Sequence, residues 1–351
     1  MKEILNKEYD IYLGSEVFEK LAENLVVKEY SKIFVLMDSN THKHCWPILN
    51  AYLVNYFPII LPPGEASKTI RYAEFIWETL QNNLADRKAL LINLGGGMIS
   101  DIGGFCASTY KRGINFINIP TSLLAMVDAA IGGKLGIDLN SYKNSIGLFN
   151  HPSCIYIYPP FLNTLEDNEI RNGFAEISKH AFIDDKNLFE KLETLDLNDS
   201  NKLSNIIFQS VKIKFSIVSK DPFEKNIRKK LNFGHTIGHA IETASLINDK
   251  TPLKHGEAIA IGMICEAFIS KAIEGLSSKE LNTITQFIMK RFPKYKQKLN
   301  PEELIAIMRN DKKNREGNIN FTLLKKIGKA KIDINCHEDL IIQSLDYYQS
   351  L

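Results

Sequence analysis

His235 and His239 stand four residues apart within Leu231 to Glu242, a stretch reading LNFGHTIGHAIE. On an α-helix that spacing puts two imidazoles on one face, one turn apart, where they can meet a shared ion or substrate. Gly234 and Gly238 each precede one of these histidines and leave the face open to close approach by another part of the chain. A glycine inside a helix costs roughly 1 kcal/mol relative to alanine, so a packing or functional reason for the pair is expected. Two further stretches offer ligands: Glu176, in a helical pattern, and His255, where Lys254-His255-Gly256-Glu257 opens an apolar segment. Glu176, His235 and His255 would make a three-ligand site. Three protein ligands with an open position is the pattern of catalytic zinc, whereas structural sites are closed by four. A histidine pair at this spacing is more often an accident of surface or core than a metal site, so the reading needs support from elsewhere.

That support is anion chemistry. Gly95-Gly96-Gly97-Met98-Ile99-Ser100-Asp101 joins a buried apolar run to an apolar helical pattern. Glycines there let backbone N–H groups approach an anion at a helix N-terminus, although the stretch is not a Gly-x-Gly-x-x-Gly match. Arg112-Gly113, Gly132-Gly133-Lys134 and Lys143-Asn144 place cations beside turns, as sites for phosphate or carboxylate do. The aromatic interleaving of nucleic-acid modules is missing, which favours an anionic small molecule. Asp38, ending the run 32–37, is open to two readings, a ribose ligand or a helix N-cap.

The elements that must position these groups follow from periodicity. Apolar runs at 9–13, 32–37, 57–61, 89–94 and 114–119 alternate with helical patterns at 15–25 and 69–84. This predicts an α/β domain with a largely parallel sheet. Beyond Tyr158-Pro159-Pro160 the pattern turns helical, at 166–183, 188–195, 202–220, 232–246 and 257–276, with a short hairpin expected within 318–334. A boundary near Pro159 is expected, giving domains 1–160 and 161–351. Lysine and arginine number 43 against 41 aspartates and glutamates, so whole-chain charge argues for neither nucleic acid nor membrane. The amino terminus carries no apolar run and no segment reaches membrane-span length, and a cytoplasmic protein is expected. The five cysteines are scattered without a Cys-x-x-Cys pair and are expected as buried, reduced thiols.

Taken together, Gly95 to Asp101, Tyr110 to Gly113, Ile119 to Lys134, Lys143-Asn144, Ala175-Glu176 with Lys179, Leu231 to Glu242, His255-Gly256-Glu257 and Met308 to Lys313 resemble the 3-dehydroquinate synthase family, in the family's order and over nearly the whole chain. The resemblance implies a Rossmann-like, parallel-sheet NAD domain followed by a mainly helical metal and substrate domain. It implies Glu176, His235 and His255 as zinc ligands, with cobalt an alternative, and moves His239 from the ligands to proton transfer. Lys134, Lys143, Asn144, Lys179, Asn232 and His239 are implied as catalytic; Arg112, Asp128, Lys214, Arg228, Lys312 and Lys313 as substrate-binding. Asp38, Glu65, Lys68, Gly97, Met98, Ile99, Ser100, Asp101, Thr121, Ser122, Phe161, Leu162, Asn163 and Thr164 are implied for NAD, again with Lys134 and Lys143. The implied reaction is that of a lyase acting on a sugar acid phosphate in the shikimate route, in a homodimer whose Arg112 reaches the neighbouring site. Ser100, Ser122, Leu135 and Ser178 depart from the family's usual residues without removing a ligand or a cation. A polyol dehydrogenase of the same architecture is the rival, against which the cation set argues.

Overall fold

The computed structural model describes residues 1–140, 142–197, 199–309 and 319–351. They form two compact units, one of residues 1–170 with 200–215 and the other of 171–199 with 216–351. The segment 200–215, expected beyond the boundary at 160, belongs to the first unit.

In the first unit the strands are β1 (Lys2–Ile4), β2 (Asp10–Leu13), β3 (Ile33–Asp38), β4 (Tyr56–Leu61), β5 (Leu90–Gly95), β6 (Asn115–Pro120), β7 (Lys134–Leu139), β8 (Tyr142–Phe149) and β9 (Cys154–Ile157). Seven make one sheet in the order β1-β2-β9-β6-β5-β3-β4. All its neighbours are parallel except β1 and β2. Every residue of β5 is buried, as a central parallel strand covered on both faces requires. Helices Ile70–Asn82 and Gly97–Thr109 supply Ala73, Ile76, Leu80, Ile99, Ile102 and Phe105 to a core shared with Phe34, Leu36, Ile59 and Leu91 of the sheet.

The chain runs outward from β3 to β4 and then returns to the other side of β3 with β5. Strand order therefore reverses between β3 and β5, and open α/β sheets bind ligands beyond the carboxyl ends at such a point. β7 and β8 form a separate antiparallel hairpin that the periodicity did not predict.

Among its described residues the second unit is helical apart from the hairpin of β10 (Asn320–Lys326) and β11 (Lys329–Asn335), as expected within 318–334. Its most enclosed helix, His255–Ile273, is buried along most of its length, consistent with its being apolar all round. Against it lies the helix His235–Asn248. The predicted helix across 232–246 begins late: Asn232 closes a 3-10 turn, Ile227–Asn232, and Gly234 adopts a left-handed φ of 79°. A Cβ on Gly262 would come within 2.0 Å of the Gly234 carbonyl oxygen, so the glycines serve a helix crossing. Among the described residues no helix is long and apolar enough to cross a membrane. Cys45, Cys106, Cys154 and Cys265 are buried free thiols as expected, whereas Cys336 is only half-buried.

Candidate active site

Three elements of the second unit bring the expected metal ligands together. Glu176 lies within the helix Asp167–Asp184, while His235 and His255 are each the first residue of their helices. Glu176 Oε1 is 3.5 Å from His235 Nε2 and 3.6 Å from His255 Nε2. Both other ring nitrogens are engaged: His235 Nδ1 lies 3.1 Å from the Phe233 carbonyl and His255 Nδ1 lies 3.0 Å from Glu242 Oε2. This turns both Nε2 atoms to Glu176, the outer-shell arrangement typical of metal-binding histidines. Tetrahedral zinc with bonds near 2.0–2.1 Å would separate its donors by roughly 3.3–3.4 Å, which the two Glu176–histidine separations match to within a few tenths of an ångström. Glu176 is fully buried, and its Oε2 faces the buried Lys179 ammonium. Burial favours a neutral His255 ring, but its bonds to Glu176 and Glu242 outweigh that and push its pKa up to about 10.

His239 is adjacent, its ring centroid 5.0 Å from that of His235 and 5.7 Å from that of His255. Donor atoms of the three imidazoles all lie within 4.8 Å of one another. Asn232 donates to Glu224 Oε1 at 2.7 Å, and Glu224 was not singled out from the sequence. Arg228 is buried, its guanidinium donating to the Pro222 carbonyl at 2.5 Å. Its loop is held by Asp221, which accepts backbone N–H groups of Lys225, Asn226 and Arg228 at 2.9, 2.6 and 3.1 Å. Against the push of burial, those bonds and the Arg228 charge hold the Asp221 carboxyl below its ordinary value.

The first unit gathers the groups expected for the cofactor at the carboxyl ends of adjacent strands. Met37 pairs with Leu94 and Gly95 with Pro120, so Asp38, the Gly95–Asp101 turn and Thr121-Ser122 follow three neighbouring strands. Asp38 does cap a helix, accepting N–H groups of Asn40 and Thr41 on Oδ1 at 2.8 and 2.9 Å. The helix Gly97–Thr109 starts at Gly96 without a side-chain cap, which leaves its first N–H groups to be satisfied otherwise, as at anion-binding helix starts. Met98 is half-buried, Ile99 belongs to the core, and the Ser100 hydroxyl donates to the Gly96 carbonyl at 3.2 Å. Lys68 is buried, 2.5 Å from Asp101 Oδ2 and 3.5 Å from Glu65 Oε1, and donates to Asn144 Oδ1. Burial pushes the Asp101 carboxyl up to about 6, with Lys68 holding it back. Phe161 and Leu162 are buried in a 3-10 turn, leaving Asn163 and Thr164 exposed.

Lys214 reaches Asp128 at 2.5 Å across 86 residues of sequence. Lys134 and Lys143 are not brought together: Lys134 pairs with Phe149 at the open end of the hairpin, and Lys143 lies beside Tyr142 near its turn. Six residues of strand separate those levels, roughly 20 Å. Arg112 is exposed on a turn where Lys111, Arg112 and Gly113 take φ of 49°, 68° and 115°. Leu135 packs in the core and the Ser178 hydroxyl donates to the Phe174 carbonyl of its own helix at 2.8 Å. Lys312 and Lys313 lie outside the described residues.

Comparison with known proteins points the same way. Residues 58–172 match the family described as 3-dehydroquinate synthase N-terminal, and residues 173–314 its C-terminal counterpart. A 3-dehydroquinate synthase of Parabacteroides distasonis is 39% identical over 347 residues, covering 97% of this chain and 98% of its own. Among solved structures, a 2-epi-5-epi-valiolone synthase from Streptomyces hygroscopicus with NAD+ and Zn2+ bound superposes with a TM-score of 0.86 at 24% identity, covering 100% of this chain and 99% of that one. A 2-deoxy-scyllo-inosose synthase complexed with carbaglucose-6-phosphate, NAD+ and Co2+ gives 0.86 at 23% identity, covering 99% of each chain.

Proposed function

The chain belongs to the 3-dehydroquinate synthase family, and on that premise we propose that it converts 3-deoxy-D-arabino-heptulosonate 7-phosphate into 3-dehydroquinate and inorganic phosphate. The observation that carries this reading is the convergence of Glu176 Oε1 with the Nε2 atoms of His235 and His255. Both of those synthase structures hold NAD+, beside Zn2+ in one and Co2+ in the other, and we extend both kinds of cofactor to this chain. When bound, NAD+ would supply a reversible hydride acceptor for the C5 hydroxyl, and a divalent ion held by Glu176, His235 and His255 would polarise that hydroxyl.

The chain's own residues do the remainder. Asp38, Glu65, Lys68, Thr121, Ser122, Asn163 and Thr164 would hold the dinucleotide, and the uncapped start of the helix Gly97–Thr109 would offer its N–H groups to the phosphates. Asp128 holds Lys214 in place, and Arg228 is fixed by Asp221; with Lys134, Lys179, Lys312 and Lys313 they bind the carboxylate and phosphate, which fixed charges in a water-poor site stabilise more than water does, while Lys143 and Asn144, at the other end of the hairpin from Lys134, are left to the cofactor, Asn144 accepting from Lys68. His239 carries the proton steps of oxidation, ring opening and aldol closure, and Asn232, held by Glu224, hydrogen-bonds the substrate beside it. Arg112, on its strained exposed turn, serves the phosphate of a neighbouring subunit in a homodimer. The domains are assigned accordingly, NAD to the α/β part and metal to the helical part, in a cytoplasmic enzyme.

The test is NMR of zinc-loaded protein with the heptulosonate phosphate and substoichiometric NAD+. Phosphate and dehydroquinate should appear in equal amounts over many turnovers per NAD+. Accumulation of NADH without phosphate would transfer the protein to the dehydrogenases.

A further inference from the structure

We propose that Glu266 is a positioning residue for the metal-ligand set, an inference that rests on reading Glu176, His235 and His255 as ligands of a divalent cation. Glu266 lies on the helix His255–Ile273 and is fully buried. Its carboxylate leaves its own helix to accept the Gly234 N–H on Oε2 at 2.6 Å and the Thr236 and Ile237 N–H groups on Oε1 at 3.0 and 3.1 Å. These donors flank His235, and an α-helix leaves its first N–H groups without partners of its own. Glycine at the N-cap supplies no side-chain cap, so the cap arrives from the neighbouring helix. The bare Gly262, one turn before Glu266, allows the approach.

A second tie has the same form. Asn172, one turn before Glu176 on its helix, accepts the Gly256 N–H at 2.6 Å, immediately after His255. The element carrying Glu176 thus holds the backbone beside His255, and the element carrying His255 holds the backbone beside His235. Both histidine ligands are thus placed by a side chain from an element bearing another ligand. Glu266 must be an anion for this: a carboxylate accepts on both oxygens, whereas an amide would turn an NH2 group toward one of the donors. Its negative charge also suits the helix start. Losing it shifts the first turn and moves His235 Nε2 away from Glu176.

The experiment is titration of metal-stripped protein with zinc in competition with a chromogenic chelator, with thermal unfolding of the metal-free protein in parallel. Glu266→Gln is compared with Ser270→Ala, one turn further on, where the hydroxyl donates to the Glu266 carbonyl at 2.6 Å and accepts the Leu324 N–H at 2.9 Å. Glu266→Gln should weaken zinc binding roughly tenfold or more, the size of effect typical of outer-shell partners. Ser270→Ala should lower the unfolding temperature and leave zinc affinity unchanged. Wild-type affinity in Glu266→Gln overturns the proposal. If that variant does not fold, Glu266→Asp, with the charge on a shorter arm, is read by the same criterion. Zinc held no more tightly by the wild type than by Glu176→Gln overturns the ligand reading itself, and is seen without touching Glu266.

Discussion

Lys179 and Glu176 pair out of reach of solvent, one turn apart on a single helix. Removing one member of a buried pair costs about 3–5 kcal/mol because the other is left uncompensated. Lys179→Met should therefore destabilise the metal-free protein by about that much in chemical unfolding, and by clearly less with zinc present, when the ion supplies positive charge to the carboxylate. Asp221 gives a pH-dependent case. Its folded pKa is depressed, so its stabilisation is present above the ordinary aspartate value of about 3.9 and is lost as pH falls through the folded value. Asp221→Asn should cost about 1–3 kcal/mol at pH 7, with the gap to wild type closing below pH ~4, and should weaken substrate binding through Arg228. Glu176, His235 and His255 could be read from the sequence because ligand chemistry restricts residue type. Asp221, Glu224, Glu266 and Asn172 could not: each acts by accepting a hydrogen bond, Glu266 and Asn172 from partners distant in sequence, and any carboxylate or amide in the chain could have done so.

At the level of elements, the helix crossing at Gly262 tolerates no side chain, since the obstructing atom is a backbone carbonyl oxygen. Gly262→Ala should cost about 3 kcal/mol or more, at the upper end of overpacking effects, measured by urea unfolding, and should disturb zinc binding because the carbonyl displaced is that of Gly234, next to His235. Five of the parallel strands were legible because each is a short continuous apolar run; the sixth, β9, spans only four residues and was not read. β7 and β8 were not, because most of β8 is exposed and its register rests on pairing with β7. The late start of the His235 helix was hidden for a different reason: Gly234 reads equally well as a helical position or as a left-handed break, and the Glu266 cap that decides between them sits 32 residues away. Asp128 lies in a short π turn, Ala125–Ala129, a form that a helical repeat in the sequence does not distinguish from an α-helix.

For the whole molecule, the chain enters the first unit twice, and residues 200–215 bring Phe215 edge-on to Tyr9, Phe208 under Lys2 and Lys214 to Asp128. A fragment ending at 170 should therefore lack native hydrogen-exchange protection in β1 and β2, and one extended through 215 should regain part of it. The position of β9 between β2 and β6 carries a consequence in time. Asp10 pairs with Cys154, so β2 has no parallel neighbour until a segment some 144 residues later has been made. At about 5–20 residues per second that is a wait of roughly 7–30 s on the ribosome, during which the opening hairpin stands as an uncovered edge, and the sheet is completed by inserting a late strand into its middle.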